Sequence, residues 1–168
     1  MMNIRPILKE DAKHIQLVAK QSWNAAYGDI YPQSFIEEFV RNAYSIHNLE
    51  QSADRDAQRD ERHFYVCELE GAIIAFAQVM KQEAAGEYEL LRIYVHPDRQ
   101  NAGAGRLLLS NYLTTLPHMN KLVAWVEDKN EQGRRFYERN GFVQTSHMVE
   151  KHEHFETQLT EYTWQRTC

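Results

Sequence analysis

Apolar residues fall at helical spacing through the first sixty or so positions and change to strand-like alternation from His63 onward. Asn3 to Leu8 reads as a short first strand. Between Glu10 and Tyr27, the residues Ile15, Val18, Ala19, Trp23, Ala26 and Tyr27 make one stripe, as on a helix with one buried face. Gly28 ends that helix, and Tyr31-Pro32 opens a second helical stretch with Phe35, Ile36, Phe39 and Val40. Glu50 to Arg62 is densely charged with mixed sign, which predicts a solvated helix or loop.

His63 to Leu69 and Ala72 to Met80, joined by Glu70-Gly71, predict a β-hairpin with a tight turn. A polar loop, Lys81 to Gly86, precedes a third strand, Tyr88 to Val95, which stops at His96-Pro97. Leu107, Leu108, Leu109, Tyr112, Leu113 and Leu116 are helically spaced, and Pro117 closes that helix. Leu122 to Val126 predicts a strand. Asn130 to Asn140 predicts a short helix with Gly141 just past its end. Strand-like segments follow at Phe142 to Ser146 and Phe155 to Trp164. Interleaved helices and strands with hairpins in the middle point to an α/β (α+β) chain with a mixed sheet.

With 168 residues and 43 % hydrophobic content, the chain suits one globular domain over residues 1–168 and excludes wholesale disorder. The formal charge of -5 argues against a nucleic-acid coat, whose affinity rests on cations meeting phosphates. That charge is uneven. Residues 92–139 hold eight Lys and Arg against five Asp and Glu, so this segment is locally basic. Cys67 and Cys168 make neither a disulfide framework nor a zinc set. Met1-Met2-Asn3-Ile4-Arg5-Pro6 lacks the apolar core of a secretory signal, and no apolar run approaches the ~20 residues of a membrane span. A cytoplasmic protein with no membrane or nucleic-acid partner is expected.

Gly103 and Gly105 lie one residue apart where the strongest strand meets the leucine-rich helix. Such a junction can turn several N–H groups toward one anion, with the positive end of the helix behind them. It can equally be an ordinary strand-to-helix turn. A dinucleotide fingerprint would need Gly or Ala where Leu108 stands, and a P-loop would need Lys-Ser/Thr where Arg106-Leu107 stand. Another phosphate-bearing ligand remains. The segment Gln100-Asn101-Ala102-Gly103-Ala104-Gly105 resembles the acyl-CoA signature of the GNAT N-acetyltransferase superfamily. Glu89 to Pro97 is similar to that family's central strand, and Asn130, Phe136-Tyr137 and Gly141-Phe142 to its later helix and turn. The three lie in register between residues 87 and 143. Gly133 departs from the pattern, where Ala is usual, and should weaken that helix by about 1 kcal/mol.

The resemblance implies a single-domain, mainly antiparallel mixed sheet flanked by helices. It also implies acetyl transfer from acetyl-CoA, without a metal, to an amine by direct attack. An alkyl ammonium has a pKa near ~10.4, so its nucleophilic form is roughly 4–5 kcal/mol uphill at neutral pH and a base is needed. Glu89 occupies a position where some family members place that base; the residue alone could also be a surface carboxylate. Tyr137 is the implied acid for the departing thiolate, and the same ring could simply pack beside Phe136. Backbone of Ile93, Tyr94 and Val95 is implied to pair with pantetheine, the Val95 amide facing the thioester carbonyl. Gln100, Asn101, Ala102, Gly103, Ala104, Gly105 and Arg106 are the implied phosphate-binding set, with Arg99 a weaker member. Asn130 suits both a cofactor contact and a helix N-cap.

His147, His152 and His154 share one short stretch, but no cysteine or carboxylate set accompanies them, and a surface connection is the simpler expectation. Cys67 has no evident activating partner. The first two helices are implied to line the acceptor side, making Trp23, Tyr27, Asp29 and Tyr31 candidates. The acceptor amine itself is not identified. A homodimer through the last strands is compatible with the sequence without being visible in it. A non-catalytic acyl-CoA sensor is the rival reading, against which the retention of Glu89 and Tyr137 counts.

Overall fold

The computed structural model describes residues 1–167; Cys168 lies outside the described residues. Seven strands are hydrogen-bonded in the order β1-β2-β3-β4-β5-β7-β6: β1 (Met2–Pro6), β2 (Phe64–Leu69), β3 (Ala72–Lys81), β4 (Glu87–Val95), β5 (Lys121–Glu127), β6 (Val143–Lys151) and β7 (Glu156–Gln165). The helices are α1 (Ala12–Tyr27), α2 (Gln33–Ala43), α3 (Ile46–Ala57), α4 (Ala104–Thr115) and α5 (Glu131–Arg139). β4 and β5 run parallel, whereas the β1–β2, β2–β3, β5–β7 and β6–β7 ladders are antiparallel. The expected mixed α/β class is what the chain adopts.

The chain divides into two compact units. The first comprises Met1–Val79 and Arg92–Pro117. Its core gathers the α1 stripe (Ile15, Val18, Ala19, Trp23 and Tyr27) with Ile36 and Val40 of α2, Leu49 of α3, and Phe64, Val66 and Phe76 of the hairpin. Glu70 and Gly71 both adopt positive φ, 53° and 81°, which is the two-residue turn whose twist matches the strands it joins. Tyr112 of α4 is fully buried and donates its hydroxyl to the carbonyls of His63 and Ala77, pinning the helix to that hairpin.

The second unit comprises Met80–Leu91 and the described chain from His118 onward. On one face of its strands Tyr88, Leu90, Leu122, Ala124, Val126 and Tyr162 are buried. The alternate residues Glu87, Glu89, Lys121, Val123 and Trp125 are half-buried on the other face, as the period of two requires.

Two expectations change. The charged run from Glu50 to Arg62 is helical in α3 as far as Ala57, within the expected helix or loop, but Asp56 in it is buried instead of solvated. β6 continues to Lys151, past the expected end at Ser146, because it is exposed at every residue and its length left no apolar signature. Among the described residues no helix is long and apolar enough to cross a membrane.

Candidate active site

In the first unit, β4 ends at Val95, whose carbonyl accepts a hydrogen bond from the Ser22 hydroxyl at 3.0 Å. The amide of the same peptide, His96 N–H, donates to the Ile74 carbonyl at 2.8 Å. One peptide is therefore held at both its polar ends, which fixes the strand terminus next to the Val95 amide. The β4–β5 ladder covers Glu87–Leu90 among the described residues, so Ile93, Tyr94 and Val95 lie beyond it. Ser22 was not among the residues singled out from sequence. Its only signal was a small polar residue on the apolar stripe of α1, and it is buried there.

The loop after β4 turns through a short 3₁₀ segment, Pro97–Arg99. Asn101 and Gly103 then take positive φ, 67° and 94°. A Cβ on Gly103 would meet nothing within 4 Å, so the glycine is required for its backbone angle and not for space. Gly103 is the N-cap of α4, and the first intrahelical bond runs from Leu107 N–H to the Gly103 carbonyl at 3.0 Å. The amides of Ala104, Gly105 and Arg106 precede that ladder, at the positive end of a three-turn helix. Ala104 and Gly105 are buried, while Asn101, Ala102, Gly103 and the Arg99 and Arg106 side chains are exposed. Gln100 is half-buried. This chemistry fits the phosphates of a CoA ester: backbone donors at a helix start with cations at hand.

Trp23, Tyr27 and Tyr31 form one aromatic cluster with Phe39. Trp23 lies 4.4 Å from Tyr27 and 4.2 Å from Phe39 between ring centroids, and Tyr27 lies 5.2 Å from Tyr31. Trp23 and Tyr27 are buried in the core, Tyr31 is half-buried, and Asp29 is exposed in the turn after α1.

In the second unit, Glu89 projects from β4 on the face opposite buried Tyr88 and Leu90. Burial, and next the negative charge of Glu161 on β7, raise its pKa above the ordinary value of 4.5. A carboxylate made more basic in this way is better suited to accept a proton than a solvated one.

Asn130, Tyr137, Gly141 and Phe142 turn out to be the two ends of α5. The Asn130 side chain caps the helix by accepting from Gly133 N–H at 3.0 Å. At the far end Gly141 N–H donates to the Glu138 carbonyl and Phe142 N–H to the Tyr137 carbonyl, the paired bonds of a Schellman motif. The Phe142 and Tyr137 rings pack at 5.2 Å across that motif. Tyr137 is buried and also stacks on Tyr162 at 5.7 Å, so the packing role weighed for it is present. Gly133 has its own reason. A Cβ there would come within 2.8 Å of Asn130 Nδ2 and 3.0 Å of Val126 Cγ2, crowding the cap it helps to complete.

His147 Nδ1 lies 3.4 Å from the Thr160 hydroxyl, and His152 stacks on Phe155. His147 is thus a strand residue and not part of the expected surface connection. The Cys67 thiol is fully buried in β2, and burial and then the Glu68 charge push its pKa up, away from the reactive thiolate.

A mixed sheet whose fourth strand leads into a glycine-capped helix start defines the general class, a mixed α/β fold with backbone donors of the kind that suit a phosphate. The chain belongs to the acetyltransferase (GNAT) family, which residues 22–142 match. It is 28 % identical over 143 residues to a spermidine N(1)-acetyltransferase of Thermoplasma acidophilum, covering 84 % of this chain and 88 % of that one. It is likewise 28 % identical over 143 residues to a 5-NmdU N-acetyltransferase of Pseudomonas phage PaMx11, covering 85 % and 88 %. The fold is similar to the crystal structure of the PaiA N-acetyltransferase of Thermoplasma acidophilum in complex with coenzyme A, with a TM-score of 0.77 at 25 % identity over 98 % of this chain and 99 % of that one. The chain is thereby an N-acetyltransferase that depends on an acyl-CoA, as its motifs implied.

Proposed function

We propose that this enzyme transfers the acetyl group of acetyl-CoA to a cationic primary amine by direct attack, with both substrates bound. The observation that carries the reading is the start of α4, where Gly103 in the left-handed region presents three amides ahead of the first helical bond. Those amides, with Gln100, Asn101, Ala102 and Arg106, hold the phosphates. Ile93, Tyr94 and Val95 pair through their backbone with pantetheine, and the Val95 amide polarises the thioester carbonyl. Asn130 adds a cofactor contact beside its capping role.

Glu89 takes one proton from the acceptor ammonium, directly or through water, and so frees the nitrogen lone pair. The C–N bond forms as the C–S bond breaks, Tyr137 gives its proton to the leaving thiolate, and the second proton of the attacking nitrogen restores the Tyr137 hydroxyl. The balance is R–NH3⁺ plus acetyl-CoA giving R–NH–acetyl, CoA–SH and one H⁺. The Thermoplasma relative is named for spermidine, which makes that polyamine the first acceptor to test.

Thiol release from acetyl-CoA over a panel of amines tests the reading, with one amine expected to stand out. Tyr137→Phe keeps the ring stack and should lower kcat by about 10²- to 10⁴-fold at nearly unchanged acetyl-CoA affinity. Full activity in that variant removes Tyr137 from the mechanism. Tight acetyl-CoA binding with no turnover on any amine would point to a sensor instead of an enzyme.

A further inference from the structure

The Glu89 face of the second unit carries a second carboxylate. Glu89 is opposite Val123 in β5, Val123 is opposite Thr163 in β7, and Glu161 lies two residues from Thr163. Directly opposed residues share a sheet face, and so do residues two apart in a strand, so Glu89, Thr163 and Glu161 point the same way.

A bulge in β6 adds to this face. Gln144 is paired with Tyr162 and Ser146 with Glu161, which leaves Thr145 as the extra residue. Bulges commonly re-aim a side chain, and here the Thr145 hydroxyl lies 2.6 Å from Glu161 Oε1 and 2.8 Å from Thr163 Oγ1. Thr163 can donate to Thr145 and Thr145 to Glu161, a two-hydroxyl relay that fixes the carboxylate. Thr145, Glu161 and Thr163 line a hollow of about 310 Å³ together with Lys121 and Gln165. That volume accommodates a small alkylammonium.

We propose that Glu161, held by Thr145, is the specificity-determining residue of the acceptor side, docking the ammonium group of the acceptor in this hollow. From there its proton passes through water to Glu89, on the same sheet face but outside the hollow's lining. The proposal rests on the reading of Glu89 as the base. The Glu161 charge also contributes to the basicity of Glu89. The same alternation also puts Glu87 of β4 and Lys121 and Glu127 of β5 on that face; Glu87 and Lys121 are bridged to each other at 3.7 Å, and Glu127 is buried at the far end of β5.

Glu161→Gln keeps the shape and removes the charge. In this variant KM for an alkylammonium acceptor should rise about tenfold, the loss expected for a charged hydrogen bond. KM for an arylamine, uncharged at neutral pH, should stay near the wild-type value. The acid limb of kcat should also move to lower pH as one negative neighbour is lost. Equal KM changes for the two acceptors, or an unmoved acid limb, would overturn the proposal.

A measurement free of turnover separates this inference from the reading beneath it. The ¹³C resonance of the Glu89 carboxyl, followed against pH in the free protein, should titrate at lower pH in Glu161→Gln than in wild type. An unmoved midpoint overturns the Glu161 role whatever the activity. Wild-type turnover retained in Glu89→Gln, with the midpoint shift present, removes Glu89 as the base and with it the proton transfer proposed here, while leaving the acetyltransferase itself.

Discussion

The Asp56 carboxylate accepts from three donors at once: the His63 amide at 2.7 Å, the Phe64 amide at 3.2 Å and the Arg62 guanidinium at 2.8 Å. It closes the start of β2, where two buried amides would otherwise be unsatisfied. Asp56→Ala should therefore destabilise the fold by about 3 kcal/mol, since a buried pair loses one partner. A drop in the urea midpoint without a change in slope would measure it. Composition hid this residue. In a run of mixed charge, nothing local distinguishes the one carboxylate that turns inward from its solvated neighbours. Tyr137 and Asn130 were legible for a different reason: spacing fixed them to the ends of a helix, and those ends are what the structure shows. The proton they are proposed to move or the cofactor they are proposed to touch leaves no such spacing.

At the scale of elements, the junction of β4 and α4 was the clearest feature of the sequence because glycines punctuate it. Gly103→Ala would place a side chain at φ 94°, with open space around it, so the cost of about 1–2 kcal/mol is conformational alone. The expected outcome is a weaker acetyl-CoA Kd, read by calorimetry, with a smaller change in the acceptor KM. The hairpin was equally legible, since a Glu-Gly pair between two alternating runs dictates its turn. β6 was not. A strand exposed on both faces has no apolar period, so its end could not be placed, and the Thr145 bulge within it could not be anticipated. The two expectations for Gly133 also part here. Helix propensity alone predicts that Ala would help, whereas the close approach of Asn130 and Val126 opposes it.

For the molecule as a whole, Glu89 makes stability depend on pH with a definite sign. Its folded pKa is raised above the ordinary 4.5, chiefly by burial and then by Glu161, so the folded chain holds this proton more tightly than the unfolded one. Stability from this group is complete below 4.5 and declines as the pH rises through the raised value. Glu89→Gln should flatten that decline, giving a Tm gain at neutral pH that vanishes in acid; thermal melts across the range would check it. A reverse trend would mean that Glu89 is stabilised as the anion. The mixed sheet was readable because hydrophobic period extends through most of the chain, and the family because three motifs stand in order between residues 87 and 143. The division into two units was not, because each is assembled from stretches distant in sequence. Finally, β6 lies at one end of the strand order, bonded among the described residues to β7 alone and exposed throughout. Such a strand opens locally at less cost than the core strands, and its amides should exchange with solvent sooner than theirs. Each opening would carry Thr145 away from Glu161, so the hydrogen bonds of an edge strand would also set how long the proposed acceptor subsite keeps its shape.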